Sequence, residues 1–332
     1  MSNPTNNTAA RGFQPGPDGV SVIIPLFNKK ATVARAIDSA LAQEDISVEV
    51  IVVDDGSSDS SNAVVQAFGD RVRLIRQQNA GPSAARNHGA RLATKSLLVF
   101  LDADDELLPD CLAAHAYTRQ IAPETRLSIA SFRVMTGDTV DREEFIDKRP
   151  MNSQRLEDIS LVSQFHVDVV TNIAAAAICI DRDLFAQIRG FDEKLHCWEI
   201  TDFTYRAVLE SGIVALPHGM YVVIHTDGSN SQYASTNQNL EHKAYFAHRL
   251  LDRIDQVPHE QRSVLLHPVK DTMHSALLAN EFSTLRQLAR RAMPYRKDYP
   301  ELTKLCLASA LPSVLARALL LLRTKLAALI AP

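Results

Sequence analysis

The sequence predicts an α/β fold in which helices flank a mostly parallel sheet, followed by a helical region at the C-terminal end. Apolar, β-branched runs alternate with stretches of helical periodicity from residue 20 to residue 101. This alternation is typical of parallel strands joined by right-handed crossovers. From Asn237 onward the apolar residues recur only at helical spacing. We therefore expect a disordered lead-in at 1–19, a sheet domain at 20–235 and a helical region at 236–332.

The first half of the sheet domain is predicted to contain four strands separated by three helices. The strands are 20–25, 48–53, 72–75 and 96–101, and the helices cover 33–41, 64–68 and 83–93. Val and Ile dominate the strands, as expected for a buried sheet. Pro25 stops the first strand, and Pro82 precedes the third helix, where proline favours initiation.

The pattern is less regular after Pro109. We predict helices at 109–121 and 198–211, strands at 127–132, 173–180, 213–216 and 221–224, and a mobile charged loop at 137–152. The tail, 305–332, is rich in Leu and Ala, but proline and cations interrupt it too often for a membrane span. It can lie on a membrane surface with its cations at the headgroups, or pack as a helix on the rest of the protein.

Composition narrows the classes of function. The chain has 332 residues, of which 46% are hydrophobic and 22% are charged, as in ordinary soluble proteins. A net charge of −4 gives no general attraction to nucleic acid, so we expect no nucleic-acid partner. The four cysteines are scattered without a Cys-x-x-Cys pair. This argues against a zinc site or disulfide framework and favours a reducing, cytoplasmic compartment.

Three carboxylates follow the fourth predicted strand, at Asp102, Asp104 and Asp105. Open α/β sheets bind ligands at the carboxyl ends of their strands. Like charges this close repel unless water or a cation screens them, and Mg²⁺ or Mn²⁺ binds both carboxylate and phosphate oxygens. The Asp-x-Asp pattern therefore predicts a metal–diphosphate site. The alternative is a polar loop whose aspartates cap the helix beginning near Pro109.

Polar motifs also follow other predicted strands and turns. The full set is Pro25–Asn28, Asp54–Asp59, Asn79–Asn87, Asp102–Asp105 and Gly190–Glu193. In this order the motifs resemble glycosyltransferase family 2, over roughly residues 20–231. The resemblance implies a GT-A-type, Rossmann-like fold and an inverting, metal-dependent enzyme that uses a nucleotide-sugar donor.

The resemblance implies a nucleotide-binding role for one group of residues. They are Pro25, Phe27, Asn28, Asp55, Arg86 and Asp102. Asp55 corresponds to the acid that accepts a hydrogen bond from the base, usually uracil. The alternative for Asp54 and Asp55 is turn and cap chemistry. For Arg86 and Asn87, which belong to the segment beside the nucleotide, the alternative is a solvated helix face.

The resemblance also implies a site for Mn²⁺ or Mg²⁺. Its expected ligands are Asp102, Asp104 and His225, with Asp104 as the more direct carboxylate ligand and Asp105 supporting the site indirectly. His225 begins a His-x-x-x-Ser segment that ends at Ser229. A neutral imidazole there can complete a coordination sphere, whereas the alternative is a structural histidine at a strand end.

The expected catalytic base departs from the family pattern. In the family the base is the aspartate of a Glu-Asp pair that opens the helix after Gly-Phe-Asp-Glu. Here Ile200 occupies the aspartate position, and isoleucine cannot accept a proton. Glu199 is the first candidate base and Asp202, three residues further on, is the alternative.

These expectations combine into one predicted function and two alternatives. The predicted function is transfer of a sugar from a UDP-sugar to a glycan or lipid-linked acceptor in cell-surface polysaccharide synthesis. The protein is expected in the cytoplasm or peripherally on the cytoplasmic face of the membrane, with contact through 305–332. Ile200 also suits a nucleotide-sugar-binding protein without turnover. A sugar nucleotidyltransferase would need a glycine-rich phosphate loop after the first strand, and 25–30 has no glycine.

Overall fold

The computed structural model describes residues 19–146, 154–155, 158–162, 173–226, 236–259 and 262–311. The chain divides into two compact units, Met1–Asn230 and Ser231–Pro332. Most of the predicted lead-in, up to residue 18, and the tail from residue 312 lie outside the described residues.

The first unit begins with strands and helices in strict alternation. The strands are β1 (Val20–Leu26), β2 (Val48–Asp54), β3 (Val72–Arg76) and β4 (Leu97–Phe100), and the helices are α1 (Val33–Leu41), α2 (Ser61–Gln66) and α3 (Pro82–Leu92). Strand β1 pairs in parallel with both β2 and β4, and β2 pairs in parallel with β3. The predicted parallel arrangement is confirmed, with element ends within three residues of the predicted ones.

The second half of this unit contains shorter elements. They are β5 (Glu106–Leu107), α4 (Cys111–Ile121), β6 (Leu127–Ile129), β7 (Ser131–Thr136), β8 (Thr139–Glu144), β9 (Gln154–Arg155), β10 (Ile159–Val162), β11 (Ile178–Asp181), α5 (Arg182–Gln187), α6 (Glu199–Ser211), β12 (Val214–Pro217) and β13 (Met220–Thr226). The large sheet has the strand order β3-β2-β1-β4-β11-β6-β12-β10-β9, and a smaller sheet has the order β5-β13-β7-β8.

The structure corrects three predicted elements. The strand predicted at 127–132 is two strands in different sheets, because the chain leaves the large sheet at Ala130. The described part of the predicted loop 137–152 contains β8, an exposed strand at the end of the small sheet, where charged side chains are readily tolerated. The strand predicted at 173–180 begins only at Ile178, after a short 3₁₀ turn formed by small alanines.

An aromatic cluster joins the end of β4 to the segment before α6. It consists of Phe100, Phe185, Phe191 and Phe203. The rings of Phe100 and Phe191 meet edge to face at 4.9 Å, and those of Phe191 and Phe203 stack at 4.1 Å. Aromatic contacts of this kind add to the stabilisation from burial. The cluster therefore fixes the start of α6 against the strand that leads into the acidic turn.

The second unit is helical throughout its described part. Its α-helices are α7 (Thr236–Arg253), α8 (Arg262–Leu278), α9 (Phe282–Ala292) and α10 (Leu302–Ala310). Leu265, Leu285 and Leu288 are fully buried between them. Within the described ranges, no helix has the length and apolar character needed to cross a membrane.

Candidate functional site

The acidic turns lie at one edge of the large sheet because β1, β2 and β4 run in parallel and end together. The backbone joins these ends directly. The N–H of Asp55 donates to Leu26 O at 2.8 Å, and the N–H of Leu101 donates to Ile23 O at 3.0 Å. The motifs predicted to share a ligand site are therefore neighbours across strands, as ligand binding at strand ends requires.

The turn after β2 is held by its own carboxylates. Asp54 Oδ1 accepts from the N–H of Ser57 at 2.8 Å. Asp55 Oδ1 accepts from the N–H of Ala80 at 2.8 Å and from Gln77, and Asp55 Oδ2 accepts from the N–H of Gly81 at 2.8 Å. Both aspartates are buried and have the turn chemistry that the sequence left open. The contact of Asp55 with a base stays a prediction, and the one acceptor direction left on Oδ2 is where it would form.

The turn after β1 joins the same network. Asn28 has a left-handed φ of +52°, its N–H donates to Ser57 Oγ at 3.0 Å, and its Oδ1 accepts from the N–H of Ser58 at 2.8 Å. The Asn28 side chain thus ties the turn after β1 to the turn after β2. Phe27, in contrast, is 48% exposed, and Pro25 is half-buried at the end of β1. Phe27 therefore offers an apolar ring at the strand edge.

Arg86 is buried on α3 and bridges two parts of the site. Its NH2 donates to Asp102 Oδ1 at 2.6 Å and its NH1 to Glu199 Oε1 at 3.3 Å, while the guanidinium lies 5.3 Å from the centre of the Phe191 ring. Burial opposes its charge, but Asp102 and Glu199 raise the pKa of Arg86 above its usual value. The alternative of a solvated helix face is therefore wrong.

Asn87 is also buried, and it holds the turn before α6. Its Oδ1 accepts from the N–H of Phe191 at 2.9 Å, and its Nδ2 donates to Phe191 O and to Glu193 Oε1, both at 2.9 Å. Gly190 has a φ of +60°, and a Cβ there would clash with Asn87 Oδ1. The Gly-Phe-Asp-Glu motif thus positions the helix that carries Glu199.

The acidic turn after β4 is paired with cations. Asp102 meets Arg86, Asp104 Oδ2 lies 2.5 Å from Lys29 Nζ, and the Asp104 carbonyl accepts from Arg35 at 2.6 Å. Asp105 is buried and accepts from the N–H of His225 at 3.0 Å. Burial raises the pKa of Asp105, and the charges of Asp102 and Asp104 raise it further.

The histidine predicted as a metal ligand has another partner. His225 Nε2 lies 3.1 Å from Glu106 Oε1, and Glu106 also pairs with Arg35 at 2.7 Å. No group of three or more His, Cys, Asp or Glu side chains in the described part of the chain is arranged to hold a metal ion. The structure therefore does not assemble the predicted set of Asp102, Asp104 and His225.

The two partly exposed aspartates, Asp102 and Asp104, nevertheless fit a divalent cation. The side chains of Asp102 and Asp104 are 35% and 31% exposed, so their oxygens reach solvent. Mg²⁺ is commonly held by one or two carboxylates plus the oxygens of a substrate phosphate, without a complete protein cage. The pKa of Asp105 is raised first by burial and then by repulsion from Asp102 and Asp104, and a cation would relieve that repulsion.

The two candidate bases, Glu199 and Asp202, differ in exposure and in their partners. Glu199 opens α6 directly after Trp198, and its side chain is 15% exposed. Asp202 is 2% exposed and pairs with Arg206 at 2.8 Å, and Arg206 also donates to Ile188 O and Gly190 O at 2.7 Å. Asp202 is therefore placed as a structural partner of Arg206, which argues against its predicted role as the alternative base.

Sequence reasoning missed Lys29, Arg35 and Glu106 as parts of this site. Lys29 follows the first motif directly, and Glu106 follows the acidic turn directly, so their positions next to strand ends were the one signal that could have found them. Arg35 lies on α1, and nothing in the sequence indicated that it reaches the turn after β4.

Comparison with known proteins gives consistent matches. Residues 21–172 match the family model described as Glycosyl transferase family 2. The succinoglycan biosynthesis protein ExoO of Rhizobium meliloti (strain 1021) is 48% identical over 95 residues, which is 28% of this chain and 27% of the relative. The chain thus aligns with about a quarter of that relative. The uncharacterized glycosyltransferase RT0329 of Rickettsia typhi (strain ATCC VR-144 / Wilmington) is 27% identical over 233 residues, 69% of this chain and 70% of the relative.

Solved structures match over most of the chain. The crystal structure of S. aureus TarS 1-349 has a TM-score of 0.59 at 14% identity, covering 88% of this chain and 90% of that one. TarS 1-349 in complex with UDP-GlcNAc has a TM-score of 0.58 at 17% identity, covering 87% and 91%. At these identities the likeness shows the fold. The predicted resemblance to glycosyltransferase family 2 is confirmed over residues 21–172 by the family model.

Proposed function

We propose that the protein transfers a sugar from a nucleoside-diphosphate sugar, preferably a UDP-sugar, to a glycan or lipid-linked acceptor with inversion at the anomeric carbon. One observation carries the proposal: Arg86 bridges Asp102, at the end of β4, and Glu199, at the start of α6, within the first unit. The site thus has a donor side and an acceptor side joined by one buried residue. The names of ExoO and of the TarS complex, succinoglycan biosynthesis and UDP-GlcNAc, support this choice of acceptor and donor.

The donor side comprises the ends of β1, β2 and β4. Phe27 provides an exposed ring for the base, and Asp55 provides its remaining acceptor direction for a ring N–H. Asp102 and Asp104 would hold Mn²⁺ or Mg²⁺ together with the diphosphate oxygens. When bound, the cation supplies charge neutralisation for the departing diphosphate.

The acceptor side is the start of α6. The acceptor hydroxyl oxygen forms a bond to the anomeric carbon, and the bond from that carbon to the diphosphate oxygen breaks with its electron pair. The hydroxyl proton passes to the Glu199 carboxylate, which acts as general base. Arg86 orients this carboxylate through the contact of 3.3 Å, so that it stays next to the donor side.

A second candidate is nucleotide-sugar binding without turnover. Two observations favour it: Ile200 stands where the family has its basic aspartate, and Glu199 is already engaged by Arg86. Transfer of sugar by the parent protein separates the two candidates directly.

We also propose that the second unit contacts an anionic membrane surface on the cytoplasmic side. Arg286, Arg290, Arg296 and Lys297 are exposed on this unit, close in sequence to the Leu-rich tail. Cations and apolar residues in this combination bind anionic lipid surfaces. A chain ending at Ser309 should lose association with anionic vesicles and still bind UDP. Unchanged vesicle association would contradict the membrane role, and unfolding would show that the tail belongs to the core.

The test of the proposed function is a thermal-shift panel of nucleotides and nucleotide-sugars, each with and without Mn²⁺. UDP and UDP-sugars should raise the unfolding temperature more than other nucleotides do, and more strongly with Mn²⁺ than without it. The donors that stabilise the protein are then offered with glycan and lipid-linked acceptors, and free UDP is measured. Absence of any stabilisation by nucleotides would contradict the proposal. Stabilisation without transfer would select the binding protein.

A further inference from the structure

The Lys29 side chain occupies the acidic turn after β4, although the proposed reaction gives it no role. Its Nζ lies 2.5 Å from Asp104 Oδ2. Arg35 donates to the backbone carbonyl of Asp104, so Arg35 does not take the place of Lys29 at the carboxylate. The ammonium group thus holds a carboxylate oxygen that a divalent cation would need.

The backbone of Lys29 is held by hydrogen bonds, whereas its side chain is partly exposed. The N–H of Lys29 donates to Ser61 Oγ at 3.1 Å, and the preceding Asn28 is held by Ser57 and Ser58. The Lys29 side chain is 45% exposed. Its long, flexible stem can therefore release Asp104 without any change in the surrounding turns.

The neighbouring cation behaves differently. Arg86 is 3% exposed and contacts two carboxylates, so it cannot leave Asp102 without uncovering a buried charge. Lys29 has a single, partly exposed carboxylate partner, and such pairs are weak and screened by solvent. Lys29 is therefore the exchangeable cation of the site and Arg86 the permanent one.

We propose that Lys29 is an internal competitor of the divalent cation at Asp104. The inference rests on the proposed metal role of Asp104. A cation that binds alone must break the Lys29 pair and then lie close to the displaced ammonium group, so Mn²⁺ alone binds weakly. A nucleoside diphosphate brings negative charge that the displaced ammonium group helps to neutralise. Cation and donor therefore bind together more tightly than either binds alone.

The test measures Mn²⁺ affinity without nucleotide, from the electron paramagnetic resonance signal of free Mn²⁺. Lys29→Met is compared with the parent and with Lys30→Met, an exposed neighbour that loses the same charge. Lys29→Met should bind Mn²⁺ about tenfold more tightly than the parent, and Lys30→Met should stay within about twofold. UDP should raise Mn²⁺ affinity less in Lys29→Met than in the parent.

Several results would overturn the inference. Equal Mn²⁺ affinity of the parent and Lys29→Met refutes the competition. Equal gains in Mn²⁺ affinity for Lys29→Met and Lys30→Met would show only a general effect of removing one positive charge. If Lys29→Met does not fold, Lys29→Gln provides the same comparison. If neither the parent nor any variant binds Mn²⁺, even with UDP, the metal role in the proposed function fails together with the inference. If the parent binds Mn²⁺ and Lys29→Met binds it equally well, the inference about Lys29 fails and the proposed metal role stands.

Discussion

Two acidic turns lie at the same edge of the sheet and use their carboxylates differently. In the turn after β2, Asp54 and Asp55 accept hydrogen bonds mainly from backbone N–H groups of their own turn and of the loop at 79–81, although Asp54 also pairs with the exposed Arg76 at 3.1 Å. In the turn after β4, Asp102 and Asp104 pair with the side-chain cations Arg86 and Lys29.

This difference distinguishes carboxylates that are part of the local fold from carboxylates whose cation can be replaced. Backbone donors have fixed positions, so a carboxylate that accepts from them is part of the local fold. A partly exposed side-chain cation such as Lys29 can be exchanged for another cation, whereas the buried Arg86 stays with Asp102. Similar sequences, Asp-Asp and Asp-x-Asp-Asp after buried strands, therefore give carboxylates held mainly by backbone donors in one turn and carboxylates paired with side-chain cations in the other.

The largest expected effect concerns Glu199, which Arg86 connects to Asp102 in the turn after β4. Glu199→Gln keeps the shape of the side chain and a hydrogen bond to Arg86 but cannot accept the acceptor proton. We expect kcat to fall by roughly two to four orders of magnitude, with UDP affinity nearly unchanged. Initial rates of UDP release and UDP titrations measure the two quantities.

Asp202→Asn is the control for Glu199→Gln. Because Asp202 is buried against Arg206, this variant should lose stability rather than act on the chemical step. An active Glu199→Gln together with a stable but inactive Asp202→Asn would contradict the assignment of the base.

Gain of transfer or donor hydrolysis in Ile200→Asp would show that the site is complete apart from the usual base.

The next largest effect is a loss of stability in the turn after β2. Asp55→Ala removes three hydrogen bonds from a buried carboxylate, and we expect it to lower the free energy of unfolding by about 2–4 kcal/mol. Urea unfolding followed by the fluorescence of Trp198, the single tryptophan, measures the loss. Asp55→Asn keeps one acceptor oxygen and should lose less. A stable Asp55→Ala with weakened UDP binding would instead give Asp55 the base-binding role.

The fold was largely predictable from the sequence, for a physical reason. Strands β1 and β4 are mainly apolar runs that are almost fully buried, and β2 is buried from Val50 onward. Acidic turns follow β2 and β4. The elements after β4 were harder, because 127–132 divides between two sheets and β8 consists mainly of exposed polar residues. Periodicity does not show which sheet a short strand joins.

The site was predictable in its residues but less so in their roles. The motif order brought Asp102, Arg86 and Glu199 to one place, yet the sequence could not show that Arg86 is buried between the other two. It also could not distinguish a carboxylate that accepts from backbone N–H groups from one that faces lysine. Asp55 and Asp104 differ in that respect only through contacts made across the fold.

A smaller effect is expected in the loop that Asp55 holds. Gly81 has φ +89° and ψ 166°, a conformation that only glycine adopts easily, although a Cβ would have space there. Gly81→Ala should cost about 1–3 kcal/mol of stability through backbone strain alone. Gly69→Ala, at a φ of +58° and with open space, is the control and should cost less. Equal losses in the two variants would mean that the backbone conformation of Gly81 carries no more strain for alanine than an ordinary left-handed one.

The smallest stability effect is expected in the turn after β4. Asp104→Ala removes a partly exposed ion pair with Lys29, and such pairs contribute about 0–1 kcal/mol. Its urea midpoint should therefore stay close to that of the parent, while Mn²⁺ should no longer increase the thermal stabilisation by UDP. A large loss of stability would show that the fold depends on Asp104 as much as on Asp55. Equal stabilisation of parent and variant by UDP with Mn²⁺ would contradict the metal role, because the cation would then not depend on the carboxylate that Lys29 holds.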